Sequence, residues 1–183
     1  MSTAAVMMER IKDVSPRLKA RIAGGLYFFT LISAQMLEWL FPGRMNRAAG
    51  VIEIVGMTGV TLILYFIFSP VSRVLSLLAA VLNIVGITLE AIELSAHGTD
   101  VAMVFHGCFC ILIGFLIFRS TLLPRILGAA VAIGGLCWLT YLLPRLFPWN
   151  LVCGLGGEVV MFLWLLIMGV RGARRESVSG AAG

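Results

Sequence analysis

Glu90, Glu93 and His97 stand three and then four residues apart in the segment LEAIELSAH, residues 89–97, at the end of an otherwise apolar run. On a helix those intervals bring the three side chains to one face. Two carboxylates and an imidazole so placed could offer oxygen and nitrogen ligands to a metal ion, as carboxylate-bridged centres in helical bundles do. Such centres repeat Glu-x-x-His on a second helix, and this chain has no second copy. The missing ligands would have to come from His106, Glu38 and Glu158. Glu90, Glu93 and His97 therefore rank as minor metal candidates, and the sequence assigns no cofactor.

Nucleophilic catalysis needs a Ser or Cys beside a His with an orienting acid. Cys108 and Cys110 lie close to His106 in sequence, but neighbours two and four apart arise by accident in any helix. No catalytic residue is assigned, and the balance leans against an enzyme. All four cysteines, Cys108, Cys110, Cys137 and Cys153, fall inside apolar runs and read as small apolar side chains rather than a metal knuckle. Nucleotide chemistry has no glycine-rich phosphate loop to support it.

The elements that must position these residues are membrane helices. Hydrophobic residues form 60% of the 183-residue chain and charged residues 13%, against roughly 45–50% and about 25% in soluble domains. Six apolar segments, 21–41, 50–68, 74–94, 101–118, 125–143 and 149–170, approach the length of about 20 residues that crosses a bilayer. Ser15-Pro16, Pro42-Gly43, Ser69-Pro70, Gly98-Thr99-Asp100, Pro124, Pro144 and Pro148 punctuate them. The expected fold class is all-α, a polytopic bundle of six transmembrane helices. Its domain plan is a cytoplasmic segment at 1–20, the helical domain at 21–170 and a disordered cytoplasmic tail at 171–183.

An even number of spans puts both termini on one side. That side carries 11 of the 14 Lys and Arg residues; Arg44, Arg47 and Arg145 lie on the other. The positive-inside rule makes the crowded side cytoplasmic. Trp39, Tyr141 and Trp149 then fall at the outer interface, where amphipathic rings collect. The net charge of +5 is spread over loops and termini without interleaved aromatics, which argues against nucleic acid.

This orientation gathers the polar residues. Ser76, Asn83, Gly86, Glu90, Glu93 and His97 form one stripe of the third span, and a carboxylate on that stripe avoids lipid by facing the bundle interior. Gln35, Glu38, Glu53, Asn83, Glu90, Glu93, His106 and Glu158 are the candidate lining of a polar cavity in the outer half. Glu158 is the deepest ionisable group, with Gly154 and Gly157 near it on its helix. Headgroup-level hydration, or pairing with Arg44, Arg47 and Arg145, is the plainer account of Glu90, Glu93, His97 and Asp100.

Four runs carry a family resemblance: SPRLKARIAG at 15–24, PVSRVLSLLAA at 70–80, GFLIFRSTLLPRILG at 114–128 and GEVVMFLWLLIMGV at 157–170. In order and spacing they resemble the bacterial six-helix membrane family known as domain of unknown function 4386. The resemblance implies six helices in a bacterial inner membrane, and no assigned activity. Glu158 matches the family pattern. Phe109 stands where the family often has His, with His106 just before Gly107 instead, and Asn83 and Gly86 replace a more charged pair.

A non-catalytic ligand- or partner-binding membrane module ranks first, a small solute or proton-coupled transporter second and an intramembrane metalloenzyme third. The expected partners are the lipid bilayer and a small ligand, a lipid or a membrane protein. Small-residue faces such as Gly50, Gly56 and Gly59 are compatible with a homo-oligomer.

Overall fold

The computed structural model describes residues 15–40, 46–93, 100–140 and 149–170, and among these every regular element is helical. The helices are α1 (Pro16–Leu40), α2 (Asn46–Phe68), α3 (Arg73–Glu93), α4 (Asp100–Arg119), α5 (Arg125–Leu139) and α6 (Trp149–Ile167). Stretches within α2, α3, α4 and α6 are long and apolar enough to cross a membrane, and α5 is a shorter apolar helix of 15 residues. Large apolar side chains cover the outside: Val74 and Ile126 are each 76% exposed and Val55 is 67% exposed. Such a surface suits lipid, because in hydrocarbon a helix satisfies its own backbone and asks only for apolar side chains outside.

Helix ends follow local chemistry. Pro16 takes the first helical position of α1 after Ser15, whose Oγ accepts a hydrogen bond from the Leu18 N–H at 3.3 Å. The helix therefore starts five residues before the apolar span and carries Arg17, Lys19 and Arg21 in its first turns. Ser72 similarly precedes α3 and accepts from the Leu75 N–H at 3.5 Å. After α5 the Thr140 hydroxyl donates to the Cys137 carbonyl at 2.7 Å, and Asn150 Nδ2 donates to the Thr140 carbonyl at 3.3 Å, tying the start of α6 to the end of α5. At the opposite end Arg21 donates to the Ile167 carbonyl at 3.2 Å, a cation at the C-terminus of α6.

Each helix packs on its chain neighbours, and α1 packs on α6, so the six close into a ring in sequence order. Short links make adjacent helices antiparallel. Glycines bring α4 and α5 close together. Gly107 faces Gly135 and Gly114 faces Gly128, and a Cβ on Gly107 or Gly114 would sit 2.7 Å from the opposing glycine's carbonyl oxygen. Two glycines seven residues apart on each helix thus let two backbones meet where a methyl group would part them.

Cys137 and Cys153 correct the expectation that all four cysteines are free apolar side chains. They form a disulfide between α5 and α6, with Cα atoms 6.0 Å apart, while Cys108 and Cys110 are free. The antiparallel reversal between these helices brings positions 16 apart to one level, a coincidence of register that two separate apolar runs do not announce.

Candidate functional site

A chain of hydrogen bonds starts on α2 and ends at Glu158. The Thr61 hydroxyl donates to the Met57 carbonyl within its own helix at 2.7 Å, as Thr commonly does in apolar surroundings. Having spent its proton, Thr61 Oγ1 accepts from Asn83 Nδ2 of α3 at 2.6 Å. That bond fixes the Asn83 amide, whose Oδ1 faces His106 Nδ1 of α4 at 2.9 Å. An amide oxygen only accepts, so Nδ1 carries a proton. The other ring nitrogen, Nε2, meets Glu158 Oε1 of α6 at 2.9 Å. A second proton lies between these two atoms, on an imidazolium facing a carboxylate or on a carboxylic acid facing an imidazole. The pair is neutral in both forms.

Two further donors close the ring. Trp138 of α5 donates its indole N–H to Glu158 Oε1 at 2.6 Å, and the Tyr27 hydroxyl of α1 donates to Oε2 at 3.0 Å. Cys110 Sγ lies 3.7 Å from His106 Nε2 and 3.8 Å from Glu158 Oε1. Each of the six helices therefore contributes a side chain to one network, from Thr61, Asn83 and His106 through Glu158 to Tyr27 and Trp138. Glu158 is only 4% exposed. At that depth a carboxylate without partners would cost several kcal/mol.

The sequence of α6 explains how the two aromatic donors arrive. Gly154, Glu158 and Phe162 are spaced by four and share a face. A Cβ on Gly154 would lie 2.6 Å from the Trp138 ring, so the bare glycine lets the indole rest on α6 and aim its N–H at Glu158. Phe162 stacks on Tyr27 with ring centres 3.9 Å apart and planes at 11°, holding the phenol beside Oε2.

His106, Glu158, Tyr27, Trp138 and Asn83 border a cavity of about 110 Å³ that is also lined by Glu53 of α2 and Glu90 of α3. Of the residues expected around a polar cavity, Glu53, Asn83, Glu90, His106 and Glu158 meet there. The side chains of Gln35, Glu38, Glu93 and Asp100, and all of His97, lie outside the described residues. The third-span stripe places Ser76, Asn83 and Gly86 in the interior. Among the described residues one set of His, Cys and acidic side chains has its ligand atoms within 4.8 Å of one another, and it is His106, Cys110 and Glu158.

Thr61, Tyr27 and Trp138 are members that the sequence does not single out, and Cys110, which reads there as a chance neighbour of His106, is in contact with it. Tyr27 and Trp138 did carry a signal. Amphipathic rings collect at span ends, and a Tyr or Trp well inside an apolar run must find a partner for its O–H or N–H.

Ring and centre together define the class, an all-α polytopic membrane protein with a buried His–Glu pair. Residues 87–169 match the family model described as Domain of unknown function (DUF4386). An uncharacterized protein of Archaeoglobus fulgidus is 31% identical over 121 residues, covering 60% of this chain and 75% of the relative. The chain belongs to the DUF4386 family. No solved structure matches it.

Proposed function

We propose that the chain is a non-catalytic ligand-binding membrane module that holds a small molecule with a positively charged head in the cavity between its helices. The cavity wall carries this reading. Glu53, Glu90 and Glu158 line it from three helices, together with His106, which is bonded to Glu158. Tyr27 and Trp138 add aromatic rings, while Leu31, Met57, Ile87, Met103 and Leu155 make the remaining lining apolar. A cation bearing small apolar groups gains from all three kinds of wall. A volume of about 110 Å³ holds only a few heavy atoms, so the head of an amine or a methylated ammonium suits it, including that of a lipid.

Binding is favoured over passage by the other half of the bundle. There Leu64, Phe68, Leu116, Ile117 and Leu165 are fully buried and close-packed, with no ionisable side chain among the described buried residues beside them. A proton-coupled carrier is the second reading, supported by the proton shared between His106 and Glu158, and it requires that packed half to open. The same reading places the protein in a plasma membrane with both termini in the cytoplasm and the cavity toward the outside. The excess of Lys and Arg on the termini's side supports this, as does a disulfide at the cavity end, since disulfides persist in oxidising compartments.

Thermal unfolding in detergent with and without tetramethylammonium tests the binding reading. At about one hundred times Kd the ligand should add about 2.7 kcal/mol of stability, and Glu90→Gln should weaken the effect at least tenfold in concentration. Equal shifts with sodium and with tetramethylammonium, or none with either, would remove the organic-cation reading.

A further inference from the structure

We propose that His106, Cys110 and Glu158 form a three-ligand site for a divalent transition metal of the zinc type, its fourth position open to the cavity. This inference does not rest on the organic-cation reading. The three ligand atoms are separated by 2.9, 3.7 and 3.8 Å. A circle through three points so spaced has a radius of about 2.0 Å, which matches Zn–N and Zn–O bonds of about 2.0–2.2 Å; a small rise of the ion out of that plane approaches Zn–S at about 2.3 Å. An ion can therefore take this place with almost no movement of the heavy atoms.

The surroundings are those of a ligand set. Metal-bound histidines usually donate their second nitrogen to an oxygen that fixes the ring; here Nδ1 is held by Asn83, which Thr61 holds in turn. Trp138 and Tyr27 fix the carboxylate in the same way. His106 and Cys110 are one helical turn apart on α4 and present their atoms to α6 together. An imidazole, a thiolate and a carboxylate form a mixed set that suits zinc and disfavours magnesium or calcium, which require oxygen ligands.

Charge also balances. In the metal-free site the proton shared by His106 and Glu158 and the thiol proton of Cys110 leave the three side chains neutral in sum. A divalent ion that displaces both protons binds neutral imidazole, thiolate and carboxylate, and the sum is again zero. Such an exchange avoids leaving net charge in a low-dielectric interior.

Cobalt(II) added to chelator-stripped protein in detergent tests the site, because thiolate ligation gives cobalt a near-ultraviolet charge-transfer band. The expected result is one cobalt per chain with that band, retained in Cys108→Ser and in the Cys137→Ser/Cys153→Ser double variant. In Cys110→Ser the band should vanish and affinity should fall at least tenfold. A band that survives Cys110→Ser, or its absence at saturating cobalt, would overturn the proposal. Zinc-edge X-ray absorption on the unmutated protein decides the point even if a variant fails to fold: one sulfur per zinc supports the site, and none or several contradicts it. Neither readout depends on tetramethylammonium binding, so the two proposals can fail separately.

Discussion

A Glu158→Leu variant is expected to lose about 3–5 kcal/mol of stability, the range for removing one partner of a buried charged pair. Leucine accepts no hydrogen bond, so the Trp138 indole, the Tyr27 hydroxyl and His106 Nε2 would all lose their acceptor in a region that water does not freely supply. Glu158→Gln should cost less, about 1–3 kcal/mol, because the amide oxygen still serves one or two of the donors. Removing both ends of the pair should be kinder than the separate losses suggest, since a neutral apolar pair leaves fewer stranded groups. A double-mutant cycle of Glu158→Leu with His106→Leu should then show coupling of about 1.5 kcal/mol or more. Chemical unfolding in detergent followed by far-UV circular dichroism measures all four variants, the His106→Leu single included. A Glu158→Leu protein as stable as the parent would mean that the donors find other partners.

The second large effect is expected at the α4–α5 contact. Gly107→Ala and Gly114→Ala each place a methyl group where a carbonyl of the facing helix stands 2.7 Å away. Backbone cannot swing aside as a side-chain tip can, so the helices must separate, at about 1–3 kcal/mol per site by the usual cost of overpacking. Parting α4 from α5 also draws His106 away from Trp138, so the polar centre should loosen in the same variants. Gly156→Ala is the matching control. Nothing lies within 4 Å of its added Cβ, and its stability should stay within about 0.5 kcal/mol of the parent's or rise slightly. The same unfolding measurement separates the cases, and equal behaviour of Gly107→Ala and Gly156→Ala would contradict the packing account.

Much of this molecule can be read from hydropathy, because a bilayer imposes length and apolar composition on any helix that crosses it. The six segments fall within a few residues of the six helices, and the largest shift is at α1, where Ser15 and Pro16 start the helix before the lipid does. Glu158, His106, Asn83, Glu53 and Glu90 stood out as polar residues inside apolar runs, and depth alone singled out Glu158. Residues that owe their role to a partner on another helix were not legible. Thr61 looks like any helical threonine until Asn83 is set against it. Trp138 looks like bulk until Gly154 makes room for it, and Cys137 and Cys153 are ordinary small residues until two helices reverse beside each other. The spacing of Glu90, Glu93 and His97 drew attention through its period, and among the described residues the closest set of ligand-type side chains joins α4 to α6. A periodicity reports which residues share a face and says nothing about what faces them.

Six helices each hand a polar side chain to a network anchored on Glu158, and the Trp138 indole proton is its most accessible reporter. The chain has 4 tryptophans, so the indole region of a nitrogen–proton NMR spectrum in micelles is simple, and Trp138→Phe identifies the signal. This proton is expected to be shifted downfield by its 2.6 Å bond to the carboxylate, to exchange most slowly of the four, and to move upfield both in Glu158→Gln and in the more distant Asn83→Leu. An indole signal that stays in place when Glu158 is changed would contradict that network.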